Sequence, residues 1–137
     1  MTTHADSTFT FLDWKEDELG RTEGGTRLAR AYVRNTYRGA VEAADTHCAY
    51  TIAYAPDGTG TFSGYQLLEG TVAGRKGGFA VREEGTFDER GTVRCSFEVV
   101  PGSGSGELTG LTGSGSYTAE HGVKAVPYRF EHSLGLG

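Results

Sequence analysis

Residues 56–87, PDGTGTFSGYQLLEGTVAGRKGGFAVREEGTF, carry a turn signal before, between and after two long alternating stretches. Pro56-Asp57-Gly58 fits a three-residue hairpin loop, with Pro presetting φ and Gly taking the left-handed position. That loop sets Ala55 opposite Thr59 and Ile52 opposite Phe62. Gly74-Arg75-Lys76-Gly77 fits a four-residue loop with Ala73 opposite Gly78, so Val72 faces Phe79, Gly70 faces Val81 and Leu68 faces Glu83. Glu89-Arg90-Gly91 repeats the first loop and pairs Asp88 with Thr92. It sets Phe97 opposite Glu83, Cys95 opposite Gly85 and Val99 opposite Val81.

Side chains alternate across a strand, so these registers sort the residues onto faces. One face carries Phe62, Gly64, Gln66, Leu68, Gly70 and Val72, and continues through Phe79, Val81, Glu83, Gly85 and Phe87. Tyr50, Ile52 and Tyr54 join it from the preceding strand. Gln66 and Glu83 are the two polar groups on that otherwise apolar stretch, diagonal to one another and within side-chain reach.

The flanking chain has the same grammar. Phe9 and Phe11 share one parity and Trp14 the other, which a bulge near Asp13 reconciles. Glu18 to Thr26, with Gly20, Gly24 and Gly25, reads as a loop. Leu28 to Gly39 is a strand with Ala31, Val33 and Tyr37 on one face and Arg30, Arg34 and Arg38 on the other. That arginine stripe is a solvated outer face or a site for an anionic partner. Val41 to Thr46 is too short for a helix and reads as loop; His47 to Ala55 is the third strand. Pro101 to Gly110 is a glycine-rich connection, Leu111 to Ala119 a strand with Gly113, Gly115 and Tyr117 on one parity, and Ala125 to Leu134 a strand uniting Tyr128, Phe130 and His132. Eight antiparallel strands with no amphipathic helix predict an all-β chain folded as a single eight-stranded antiparallel β-barrel.

The composition agrees. The chain has 137 residues, which suits one domain with one core. Its 22 glycines exceed twice the average share of about 7% without a collagen period, and interior Gly64, Gly70, Gly85, Gly113 and Gly115 read as making room for a cavity. With 13 basic and 18 acidic residues the net charge is −5, which argues against a nucleic-acid surface. No apolar run nears the ~20 residues that span a bilayer, and Met1-Thr-Thr-His-Ala-Asp lacks the basic start and apolar stretch of a signal peptide. A cytoplasmic location follows as the expectation, with Cys48 and Cys95 as reduced thiols rather than a disulfide.

Familiar catalytic patterns are missing. Residues 101–110 contain neither GxxxxGK[ST] nor GxGxxG, and no helix follows to point at a phosphate. His4, His47, His121 and His132 have no ligand-like spacing, and there is no GxSxG elbow, so neither a metal nor a cofactor is called for. His132 sits either inside the barrel or at its mouth. Glu83 either swings to solvent beside Glu84 or is an interior carboxyl, whose desolvation would raise its pKa and suit it to acid–base work.

The segments AYAPDGTGTFSGYQLLEGTVAGRKGGF, EEGTFDERGTV and VVPGSGSGELTGLTGSGSY resemble a small bacterial family of unknown function whose barrels are similar to allene oxide cyclase. The likeness runs from STFTFLDW to YRFEH. It implies an allene-oxide-cyclase-like, broadly calycin-like barrel. Related barrels include cofactor-free cyclases that fold a flexible apolar substrate into a reactive shape, so the resemblance implies a cofactor-independent cyclase or isomerase acting on a small hydrophobic metabolite. Glu83, aided by Gln66, would move a proton or stabilise charge. Phe62, Leu68, Phe79, Val81 and Phe97 would line the ligand site with Tyr117, Tyr128, Phe130 and His132, while Tyr50 and Tyr54 would orient polar atoms. The alternatives are a lipocalin-like protein that binds without reacting, and a filled barrel that only interacts with other proteins. The expected partner is the metabolite, not nucleic acid or membrane, and a homo-oligomer is left open.

Overall fold

The computed structural model describes residues 7–134. The strands are β1 (Thr8–Arg21), β2 (Arg27–Arg38), β3 (Val41–Tyr54), β4 (Gly60–Val72), β5 (Arg75–Phe87), β6 (Val93–Val99), β7 (Leu111–Ala119) and β8 (Val126–Leu134). Each pairs antiparallel with its chain neighbours, and β8 returns to β1, so the sheet closes as a barrel in sequence order. The seam pairs Thr8 with Pro127 and Phe9 with Val126, and the Tyr128 N–H donates to the Ser7 carbonyl at 3.1 Å. Among the described residues a 3-10 turn at Gly106–Leu108 is the sole helical element, and no helix is long and apolar enough to cross a membrane. The leader expectation, resting on residues 1–6, lies outside the described residues, as does His4.

Two of the three expected hairpins have the expected register. Ile52 faces Phe62 and the Ala55 N–H donates to Thr59 O at 2.7 Å. Phe97 faces Glu83, Cys95 faces Gly85 and Val99 faces Val81. The central hairpin turns earlier than expected. Its loop is the two residues Ala73 and Gly74, both left-handed (φ 51° and 82°), so Val72 pairs with Arg75, Leu68 with Phe79 and Gly64 with Glu83. Gly77 and Gly78 are strand residues over which the β6–β7 connection lies: the Ser105 N–H donates to Gly78 O at 2.9 Å, and a side chain at Gly77 would strike the Ser105 carbonyl. The slip is four residues. Because four is even, every side chain keeps its face.

Two expected loops are strand. β3 begins at Val41, with Ala43 paired to Gly70, and a register shift before His47 accommodates Asp45 at φ 53°. β1 runs on to Arg21, where Glu18 accepts from Arg21 at 2.7 Å and lies 3.4 Å from Arg27, leaving 22–26 as the turn. The expected bulge in β1 is present between Leu12 and Lys15, with Asp13 at φ 60°. Arg30, Arg34 and Arg38 face outward, and Arg34 lies 3.6 Å from Asp45 and 3.9 Å from Asp13.

The interior glycines do not open space; they are filled from above. Phe62 covers Gly85, where an added Cβ would stand 2.6 Å from the ring, and Phe97 covers Gly115. Phe130 covers Gly113, while Gly64 and Gly70 press on the carbonyls of Ala49 and Glu42 in β3. Bare backbone at these positions lets neighbouring strands coil tightly and seats a ring on each sheet gap.

One end of the barrel is plugged. Leu108, fully buried, drops from the 3-10 turn onto a cluster that includes Val41, Leu68, Val72, Phe79, Phe130 and Leu111. Ser103 and Ser105 strap that connection to β5 through the Ala80 and Gly78 N–H groups at 3.0 and 3.1 Å. A second cluster with Ala29, Ala31, Val33, Ile52 and Phe62 walls the other end, which stays open.

Candidate functional site: a buried carboxyl beneath an aromatic cavity

Glu83 points inward and is 2% exposed, with its carboxyl inside a shell of donors. Tyr50 Oη–H donates to Oε1 at 2.9 Å and Gln66 Nε2–H donates to Oε2 at 2.5 Å. The Cys95 and Cys48 thiols approach the same two oxygens at 3.5 and 3.8 Å. Gln66 Oε1 in turn accepts from Thr46 Oγ1 at 2.6 Å and from Asn35 Nδ2 at 3.0 Å. Glu83, Gln66, Asn35 and Thr46 are all buried, and each is polar, so the strands converge on one hydrogen-bonded network at the barrel's midsection.

Burial pushes the Glu83 carboxyl above the usual carboxylate range, and its four donors pull only partly against that. Burial also raises the Cys48 and Cys95 thiols, with the Glu83 charge adding to it, so both stay protonated donors. Tyr50 and Tyr117 are pushed well up by burial first and by neighbouring groups second, so each keeps its phenolic proton.

Above this network lies a cavity of about 370 Å³, toward the small end for ligand sites. Asn35, Tyr50 and Tyr117 supply the polar groups near its floor, and the Tyr50 and Tyr117 hydroxyls are 3.5 Å apart. Phe11, Trp14, Tyr54, Phe62 and Phe87 wall it, and the β7–β8 loop with His121 and Val123 forms part of the rim. The β1 bulge is what brings Trp14, half exposed, onto the same cavity as Phe11; its ring is 6.3 Å from Tyr50.

Of the residues expected at the site, the barrel brings Glu83, Gln66, Tyr50, Tyr54, Phe62 and Tyr117 together. Leu68, Phe79, Val81, Tyr128 and Phe130 pack in the plugged half with Phe97 against them, not on the cavity. Tyr128 ties down the β2–β3 turn, accepting from the Val41 N–H at 2.9 Å and donating to Arg38 O at 3.1 Å. His132 is half-buried beside Phe130, 5.1 Å between ring centres, and does not line the cavity. Asn35, Thr46, Cys48 and Cys95 are site residues that were not assigned a role from the sequence. Asn35 shares inward parity with Ala31, Val33 and Tyr37, and Cys48 with Tyr50 and Ile52, so their positions were readable. Among the described residues no three His, Cys, Asp or Glu side chains gather as a metal site requires.

Fold and site together define a closed antiparallel β-barrel with a carboxyl–amide network sealed beneath an aromatic cavity. The chain belongs to the DUF3224 family, described as a protein of unknown function, which it matches over residues 5–132. A crystal structure of a DUF3224 protein with unknown function from Shewanella oneidensis MR-1 is similar to it: 29% identity, a TM-score of 0.74, and coverage of 93% of this chain and 95% of that one. No curated protein matches.

Proposed function

We propose that the barrel takes a small, mainly apolar metabolite into the aromatic cavity and acts on it as a cofactor-independent isomerase or cyclase. The observation that carries this is the contact between Tyr50 and Glu83, which links a sealed carboxyl to the cavity by one hydroxyl. Burial favours the protonated carboxyl. In that form Glu83 donates to the Tyr50 oxygen and the Tyr50 O–H turns from Oε1 to a ligand oxygen; the Tyr50 proton passes to the ligand as the Glu83 proton passes to Tyr50, and the reverse transfer restores both groups. Tyr117, within 3.5 Å of Tyr50, is placed to hydrogen-bond the same developing charge. The ring walls restrict the conformations of a flexible substrate, which is the larger part of such catalysis. A cytoplasmic setting fits the two free, buried thiols; the acidic balance fits a metabolite better than nucleic acid as partner.

A second reading, binding without reaction, is favoured by the carboxyl itself: Glu83 does not line the cavity and both its oxygens already have donors. The two separate under Tyr50→Phe. The purified protein would be incubated with an apolar metabolite extract, following consumption by mass spectrometry and binding by fluorescence of Trp14, the one tryptophan of the chain. An enzyme should keep binding in the variant and lose consumption. If wild type consumes nothing yet retains a ligand, the binding reading replaces the catalytic one.

A further inference from the structure

Over most of its length β1 is tied to the barrel on one side only. It pairs with β8 at Thr8 and Phe9, and from Thr10 to Arg21 its strand partner among the described residues is β2 alone. Trp14 stands on that half-tethered length at the open end of the cavity, and a ring 47% exposed has little packing to hold it. The bulge between Leu12 and Lys15 turns Trp14 onto the cavity, and Glu16, two residues on, follows on the same side. Its carboxylate reaches back to the ring, with Trp14 Nε1–H donating to Oε1 at 3.0 Å. The other oxygen accepts from Tyr54 Oη–H at 2.7 Å. Tyr54 belongs to β3, two strands away, and walls the same cavity.

Each oxygen of one carboxylate thus holds a donor from a different wall of the mouth, and Glu16 joins β1 to a strand that is not its neighbour in the sheet. The indole N–H can only donate. Burial, with the hydrogen bond to Glu16 adding to it, pushes the Tyr54 phenol up to about 12, so it too stays a donor. The Arg27 guanidinium, 4.2 Å above the Tyr54 ring and 3.4 Å from Glu18 of β1, braces the same joint. Hydrogen bonds to a carboxylate are strong for their kind, but water competes for exposed ones, so this joint opens and recloses where a packed wall would not. Glu16 itself does not line the cavity. Its hold on the two rings is therefore the same with a ligand inside or not, and a device indifferent to the ligand sets exchange rates, not affinity.

Building on the reading of this cavity as a ligand site, we infer that Glu16 is the latch of its mouth, a positioning residue that clasps Trp14 and Tyr54 together and limits how fast a ligand enters and leaves. The probe is N-phenyl-1-naphthylamine, a neutral apolar fluorophore, mixed with the whole chain by stopped flow. Acrylamide quenching of Trp14, the one tryptophan of the chain, reads the ring with no ligand added. In Glu16→Ala the association and dissociation rates should both rise by ~5-fold or more, the scale of losing exposed hydrogen bonds, while Kd stays within about threefold. Trp14 should quench more readily in the same variant. Tyr54→Phe keeps the ring and removes one of the two donors; it should speed dissociation by a smaller factor, and it carries the test if Glu16→Ala does not fold. A merely structural Glu16 would lower the melting temperature without quickening either rate. Unchanged rates in both variants, even with a looser Trp14, overturn the latch while the cavity remains a ligand site. No binding of the probe to wild type or to either variant overturns both.

Discussion

Phe79→Ala should lower folding stability by about 3–5 kcal/mol, near the top of the range for a single core truncation. Phe79 is 6% exposed and lies parallel to Phe130, 6.4 Å between ring centres, in the half of the barrel plugged by Leu108. Its strand partner is Leu68, and the straps from Ser103 and Ser105 hold β5 in place around it. With walls tied on both sides the site cannot collapse onto the lost ring, so the cost includes the void as well as the lost burial. For a domain of this size that corresponds to a fall of roughly 10–20 °C in melting temperature. Urea denaturation reads it directly. A loss of only about 1 kcal/mol would mean that Phe79 borders open space, as a ligand-lining residue would, and would overturn the division into a plugged and an open half.

Glu83→Gln should act on two quantities at once. As proton store for Tyr50, Glu83 supplies acid–base help, and its loss should slow consumption of a substrate by ~10²-fold or more while binding is nearly unchanged. Stability gives the independent measure. Burial sets the folded-state pKa of Glu83 above the ordinary carboxyl value of ~4.3 in the unfolded chain. The folded protein thus holds the proton more tightly, so the contribution of this group is complete below that ordinary value and is lost as pH rises through the raised one. Wild type should weaken over that window relative to Glu83→Gln, which has nothing to titrate there. Urea unfolding of both proteins at a series of pH values checks this. A difference between them that is independent of pH would show an ordinary carboxyl, and would leave the cavity to work by confinement alone.

Most of this architecture is legible in the sequence because turn chemistry and a period of two act together. Pro56-Asp57-Gly58 and Glu89-Arg90-Gly91 fix their registers within three residues, and from there parity carries Gln66, Glu83 and Tyr50 inward. The central turn was misread because its left-handed residue Ala73 is an uncommon choice there, whereas Gly77 and Gly78 advertise a turn they do not make. Those glycines answer to a segment more than twenty residues away in the chain, which no local pattern reports. In β1, polar and exposed residues carry the strand beyond the apolar core, while β3 starts on buried Val41 and Ala43 whose alternation is broken by the register shift before His47. The cavity was the least legible part. Parity places a ring inside the barrel but not at which end, so Phe79, Tyr128 and Phe130 read like Phe62 and Tyr54 although the plug separates them.

The two thiols around Glu83 make the inner wall a clock. Cys48 on β3 and Cys95 on β6 stand across the barrel from one another in strand order, both buried and both held protonated. An alkylating reagent needs an exposed thiolate, so neither sulfur should react until its own stretch of wall parts. Equal labelling rates for the two would mean that the barrel opens as one unit. Earlier labelling of Cys95 would place the first breach at β6, the short strand of seven residues, and would time that breach without any added probe.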